Sequence, residues 1–98
     1  MNYKLELLLA AHEDLSEFSN REKILIYKQF KKIQKSPELG ILLGNKNGYD
    51  LSGCRKMYAD NKKIRIVYKI VEDRIIIEVI AVGKRNEMEV YKKASKRV

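Results

Sequence analysis

The fold is decided by residues 51–83, which read LSGCRKMYADNKKIRIVYKIVEDRIIIEVIAVG. Apolar and polar side chains alternate within three segments of this stretch, and a period of two residues is typical of β-strands. The three segments are Leu51–Ala59, Lys63–Val71 and Arg74–Gly83. They are separated by Asp60-Asn61-Lys62 and Glu72-Asp73, whose residue types favour tight turns. Three strands joined by two tight turns predict an antiparallel meander.

The N-terminal part predicts one strand followed by two helices. Tyr3–Leu9 is apolar with charged side chains interleaved, as in a strand that lies on a core, and Ala10–Phe18 is expected to form a short helix. Ser19 and Glu22 have the spacing of a capping box, so a second helix begins there. Pro37 ends this helix, because the residue before a proline avoids the helical conformation. We expect its apolar stripe to contain Ile24, Ile26, Tyr27, Phe30 and Ile33.

Glycine and asparagine are frequent in Glu38–Asp50, which predicts a loop, and Asn86–Lys96 returns to a helical composition. The predicted order is β-α-α-β-β-β-α in one domain over residues 1–98. This is an α+β fold in which two N-terminal helices pack on one face of an antiparallel sheet. Alternation along the middle strand turns Ile64 and Ile66 towards the helices and Arg65 towards the opposite, more open face.

The chain is strongly basic, and its positive charge is unevenly distributed. It has 21 Lys and Arg against 13 Asp and Glu, a net charge of +8, and residues 51–98 hold 13 of the basic and six of the acidic side chains. Such a surface favours phosphate-rich or acidic partners.

A single cysteine and a single histidine exclude a disulfide framework, a multi-cysteine zinc site and a paired-histidine nuclease. No apolar run reaches the roughly 18–20 residues of a membrane span, so we expect a cytoplasmic protein with no membrane partner.

Candidate functional residues lie among the C-terminal cations. Arg65 lies opposite a row of isoleucines and gains nothing from core packing, so we expect it to contact a ligand. Lys56 on the preceding strand and Arg85 after the last strand can converge with it on one concave face, and Tyr91 follows on the terminal helix. The alternatives are a solvated basic surface for the cations and simple packing at the core edge for Tyr91.

Three stretches resemble the RelE toxins of the RelE/ParE superfamily. Residues 79–91, VIAVGKRNEMEVY, followed by Ala94 and Arg97, are similar to the C-terminal signature of that family. Residues 64–70, IRIVYKI, and 51–57, LSGCRKM, resemble the two strands before it. The resemblance implies the toxin of a type II toxin–antitoxin system, a ribosome-dependent endoribonuclease that cuts mRNA in the A site through the message's own 2′-hydroxyl. It implies no metal and no cofactor. Its implied partners are a cognate antitoxin and the ribosome with mRNA in the A site, with DNA contacted only through an antitoxin.

The same resemblance implies roles for individual residues. Arg65 would stabilise the transition-state charge, Arg85 would contact the scissile phosphate and assist the leaving oxygen, and Tyr91 would act as base or orient the nucleophile. Lys56 matches one of two family lysines on its strand, and the second position is Tyr58 here, which could stack on a base. RNA or phosphate binding is expected for Arg55, Tyr58, Lys62, Lys63, Lys84 and Lys92.

The chemistry of the reaction is compatible with these residue types. Attack by a 2′-hydroxyl needs a base, positive charge for the phosphorane and assistance for the departing oxygen. Guanidinium suits the second task because its planar fork binds two phosphate oxygens at once. Two other functions remain open at this point, a ParE-like inhibitor of DNA gyrase and a non-catalytic basic module that binds RNA or the ribosome.

Overall fold

The computed structural model describes residues 2–46, 48–84 and 89–98. The elements are β1 (Lys4–Leu7), α1 (Leu9–Leu15), α2 (Asn20–Lys35), β2 (Ile41–Leu42), β3 (Asn45–Lys46), β4 (Tyr49–Asp50), β5 (Cys54–Ala59), β6 (Ile64–Val71), β7 (Ile76–Lys84) and α3 (Glu89–Arg97). The predicted α+β order is confirmed, and the expected loop additionally contains the short strands β2, β3 and β4. None of the helices in these ranges combines the length and the apolar character that a bilayer crossing requires.

Five strands form one sheet in the order β1-β7-β6-β5-β2. The predicted antiparallel meander is present as β5, β6 and β7, with Arg65 opposite Tyr58 on one side and Gly83 on the other. The expectation of a purely antiparallel sheet is wrong at one edge, because β1 pairs with β7 in parallel. A tight turn forces its two strands to be antiparallel, but β1 and β7 are joined by most of the chain, so no turn determines their direction.

The two N-terminal helices cover one face of the sheet, and α2 begins with the predicted capping box. The Glu22 backbone N–H donates to the Ser19 hydroxyl, and the Ser19 N–H donates to the Glu22 carboxylate. The expected stripe is wrong at Ile24 and Tyr27, which are 56% and 46% exposed. A spacing of three residues drifts away from the core side of a helix with 3.6 residues per turn. The buried positions of α2 are Ile26, Phe30 and Ile33.

The terminal helix α3 packs on the opposite face of the sheet. A separate apolar cluster joins its Val90, Tyr91 and Ala94 to residues of β6 and β7. Gly83 permits this close approach, since a Cβ at that position would lie 3.0 Å from the Cβ of Val90. The face that carries Arg65 is therefore less open than expected, and Arg65 is only 8% exposed.

Candidate functional site

Arg65 lies near the start of β6 and contacts two tyrosine rings. Its guanidinium carbon is 4.4 Å from the ring centroid of Tyr91 on α3 and 6.0 Å from that of Tyr58 on β5. The negative face of an aromatic ring attracts a guanidinium group, and more strongly when water is excluded. The two rings therefore hold the cation in one place from two different elements.

Polar atoms of Arg65 and Tyr91 are buried without a hydrogen-bond partner in the described part of the chain. These atoms are Nε and Nη1 of Arg65 and the hydroxyl oxygen of Tyr91. Leaving a buried donor or acceptor unpaired costs about 1–3 kcal/mol, and nearly all such groups in native proteins are paired. Two neighbouring side chains with unpaired polar atoms indicate a site that is completed by a polar ligand.

Lys56 adds a second cation on the same face of the sheet. Its ammonium Nζ donates to the Tyr58 hydroxyl at 2.9 Å and lies 5.1 Å from the centroid of that ring. The two residues share a face because they are two positions apart on a strand, and Tyr58 is the direct cross-strand neighbour of Arg65. We call these four residues, Lys56, Tyr58, Arg65 and Tyr91, the Arg65 cluster.

A cavity of about 520 Å³ opens beside Arg65. Lys62 and Lys63, in the turn between β5 and β6, line it together with Lys84 at the end of β7. Lys84 is exposed and paired with Glu22 at 3.3 Å, and Lys62 and Lys63 are also exposed. Glu22 and Asp60 also line the cavity, so its walls carry four cations, Arg65 included, against two carboxylates, and the net charge of the lining is positive.

The remaining candidate residues do not join this cluster. Arg55 points to the opposite face of β5, where its Nη1 donates to the carbonyl oxygens of Gly40 at 2.8 Å and Glu38 at 3.3 Å. This placement disagrees with the expected phosphate-binding role, because the side chain instead ties β5 to the segment before β2. Lys92 is exposed on α3. Arg85 lies outside the described residues, so its place beside the phosphate stays a prediction.

Sequence reasoning missed Asp14, a nearly buried carboxylate on α1. It accepts hydrogen bonds from the Val82 N–H at 3.1 Å and from Arg97 Nη1 at 2.8 Å, and Lys93 Nζ is 3.4 Å away. Burial alone would raise the pKa of Asp14, but the hydrogen bonds from Arg97 and Val82 and the charges of Arg97 and Lys93 hold that pKa below its usual value. Partners so distant in sequence leave no local signal.

Over the described ranges, no three His, Cys, Asp or Glu side chains are grouped so as to hold a metal ion.

The chain resembles RelE toxins in sequence and in fold. No protein-family model matches the chain. The mRNA interferase toxin RelE of Escherichia coli (strain K12) is 38% identical over 45 residues, which are 46% of this chain and 47% of that protein, so the match spans about half the length of this curated relative. A solved structure of a mutant E. coli toxin RelE in the free state has a TM-score of 0.81 at 26% identity, covering 100% of this chain and 99% of that one. The chain is therefore similar to RelE toxins in sequence over about half of its length and in fold over its whole length.

A second RelE structure was solved with a partner bound. A mutant E. coli toxin RelE in complex with a peptide of the antitoxin RelBc has a TM-score of 0.73 at 25% identity, covering 100% of this chain and 99% of that one. The stretches that resemble RelE in sequence contribute Arg65 and Tyr91, and the fold brings those two side chains into contact.

Proposed function

We propose that this chain is a RelE-type toxin that cleaves messenger RNA in the ribosomal A site. The observation that carries the proposal is the Arg65 guanidinium, which is nearly buried, has two N–H groups without an acceptor among the described residues, and lines a basic cavity. The ligand best suited to such a group is a phosphodiester, whose two non-bridging oxygens accept from a guanidinium fork.

Arg65 would act on the charge that develops during cleavage. The 2′-oxygen of one nucleotide attacks the adjacent phosphorus, the bond to the 5′-oxygen breaks, and the products are a 2′,3′-cyclic phosphate and a 5′-hydroxyl. Negative charge accumulates on the non-bridging oxygens of the intermediate. A guanidinium that is already desolvated and held between aromatic rings stabilises that charge without reorganising.

Tyr91 and Arg85 would serve the two proton transfers. The Tyr91 hydroxyl is the second unpaired buried group of the site, and it would hydrogen-bond to the attacking 2′-hydroxyl, either taking its proton or holding it in line. Arg85 is proposed from its position in the RelE-like signature to contact the scissile phosphate and assist the departing 5′-oxygen. Lys56, whose ammonium group donates to the Tyr58 hydroxyl, would add a second positive charge.

The cavity beside Arg65 would hold the neighbouring backbone of the message. Lys62 and Lys63 are exposed at its rim, and cations of this kind fix the register of a nucleic acid on a protein without reading its sequence. Residues 1–98 would act as one RelE-like domain in the cytoplasm. Its further partner would be an antitoxin with an acidic or amphipathic segment, since the chain has a net charge of +8 and the RelE relative was solved with an antitoxin peptide.

The test uses purified protein and ribosomes programmed with a defined message. We expect a cut within the A-site codon that leaves a 2′,3′-cyclic phosphate. A single 2′-deoxynucleotide on the 5′ side of the scissile bond should abolish that cut, because the nucleophile is then missing. Inhibition of gyrase supercoiling without a cut would instead support a ParE-like poison, and ribosome binding without either effect would support a non-catalytic module.

A further inference from the structure

We propose that Asp14 is a positioning residue for Tyr91, because it holds α3 at the angle that keeps the Tyr91 ring over Arg65. The inference rests on the proposed function, in which Arg65 and Tyr91 act on the phosphate oxygens and on the attacking 2′-hydroxyl of the same cleavage site. Asp14 itself lies on α1 and would touch neither the message nor the reacting atoms. Its effect would pass through Arg97, in the last turn of α3.

The position of Asp14 follows from where β1 ends. The pairing of β1 with β7 stops at Leu7 beside Val79, and β7 then continues without a strand on that side. Residues two apart on a strand direct their backbone groups to the same edge. On this edge, the Val82 N–H donates to Asp14 and the Ile80 carbonyl accepts from Arg97 Nη1 at 2.9 Å. Asp14 and Arg97 thus satisfy the backbone groups that a longer β1 would have paired.

The contact between the two side chains is specific in its geometry. Arg97 reaches both carboxylate oxygens, with Nη1 at 2.8 Å from Oδ2 and Nη2 at 3.3 Å from Oδ1. Asp14 is 5% exposed, and salt screens such a shielded pair much less than a pair on the surface. A two-point contact of this kind restricts the orientation of the guanidinium as well as its distance. One carboxylate therefore links α1, β7 and α3.

The helix that carries Tyr91 depends on such anchors. α3 has nine residues, and helices shorter than about 12–15 residues are marginal in isolation. Its apolar anchors Val90, Tyr91 and Ala94 lie in its first two turns, and Asp14 holds its last turn. Without the second anchor, α3 can pivot about the contact of Val90 with Gly83. A misplacement of about 1 Å between reacting groups can cost about 10²-fold in rate.

The test compares variants that remove the contact in different ways. Asp14→Asn retains an oxygen that can accept from the Val82 N–H but removes the negative charge that binds Arg97 and Lys93. Arg97→Ala removes the other partner, and a double variant combines both changes. The matched control is Glu78→Gln, which also converts a carboxylate to an amide on a residue paired with a lysine, here Lys69 at 4.0 Å, at the other end of β7.

Two readouts separate positioning from simple stabilisation. The first is the kcat and KM for message cleavage on programmed ribosomes, corrected for the folded fraction. The second is amide hydrogen exchange over residues 89–98. For Asp14→Asn we expect faster exchange in α3, a kcat lower by about tenfold or more and a KM within about twofold of wild type. The double variant should lose less than the sum of the two single variants, since Asp14 and Arg97 share a contact, and Glu78→Gln should match wild type.

Other outcomes overturn the inference. Unchanged exchange in α3 would mean that Asp14 does not anchor the helix. Faster exchange with an unchanged kcat per folded molecule would mean that the contact is only structural. Failure of the proposed function is a different result, because the wild-type protein would then leave the message uncut, while the exchange measurement would still report on the anchor itself.

Discussion

The guanidinium carbon of Arg65 lies 4.4 Å from the ring centroid of Tyr91. Arg65 comes from the sheet, on β6, and Tyr91 comes from the helix α3 that packs on it. Both side chains have buried polar atoms without a partner among the described residues. An arrangement that costs folding free energy while presenting unpaired donors is typical of sites that bind a ligand. Substitutions at these two residues separate that cost from the function we propose.

Arg65→Met should remove activity and stabilise the protein. The substitution deletes a buried cation whose Nε and Nη1 have no acceptor among the described residues, and apolar replacement of buried charge often adds about 1–4 kcal/mol of stability. Losing one electrostatic donor to the transition state typically costs about 10²–10³ in rate. Urea unfolding and message cleavage measure the two effects. A variant that is clearly less stable than wild type would show that Arg65 supports the fold.

Tyr91→Phe should lower the cleavage rate, whereas Tyr68→Phe should lower the stability of the protein. The Tyr91 hydroxyl is buried without a partner among the described residues, so its loss should not destabilise the protein and should lower the cleavage rate about 10²–10⁴-fold. The buried Tyr68 hydroxyl donates to the Pro37 carbonyl at 2.6 Å and accepts from the Gly40 N–H at 2.8 Å. Its loss should cost about 1–3 kcal/mol with little change in kcat per folded molecule. Equal cleavage rates in the two variants would contradict the role of Tyr91.

Gly40→Ala should destabilise the protein, whereas Gly44→Ala should not. A Cβ at Gly40 would collide with the Tyr68 hydroxyl and lie 2.8 Å from the Lys56 carbonyl oxygen. Forcing extra volume into a packed site typically costs about 1–3 kcal/mol. Nothing lies within 4 Å of a Cβ at Gly44, which makes that variant the control. Thermal unfolding of both proteins is the measurement, and equal midpoints would refute the close packing at Gly40.

The stabilising effect of Asp14 should disappear in acid. Its pKa is lowered in the folded protein, so its contribution is complete above the unfolded value of about 3.9 and is lost as the pH falls through the lower folded value. The difference in free energy of unfolding between wild type and Asp14→Asn should be largest near neutral pH and shrink below about pH 4. Glu22 and Asp50, whose pKa values are also lowered, are present in both proteins and cancel. A difference that does not depend on pH would exclude this charge effect.

Lys62→Ala and Lys63→Ala should weaken binding of the programmed ribosome. Both residues line the cavity beside Arg65 and are exposed, so we expect a raised KM with an unchanged kcat. The KM should also depend less steeply on salt, because fewer counterions are released. Lys31→Ala is the matched control, because it also removes one positive charge but at an exposed position on α2. An equal rise in KM for that control would mean that only net charge matters.

Much of the fold could be predicted from local signals. The capping box at Ser19 and Glu22 depends on residues three apart, and the meander depends on alternation and on turn residues between adjacent strands. These signals act within one element or one turn, so they are present in the sequence. The expected stripe on α2 is wrong at Ile24, because a spacing of three residues drifts away from the core side of a helix with 3.6 residues per turn.

By itself the sequence determined the strands of the meander, the start of α2 and a concentration of cations in the C-terminal half. Only the tertiary structure decided that β1 pairs in parallel with β7, that α3 covers the face carrying Arg65, and that Asp14 binds Arg97. These contacts join segments far apart in the chain, and many pairings satisfy the same local preferences. The choice among them is made by burying the largest apolar area while leaving the fewest unpaired polar groups.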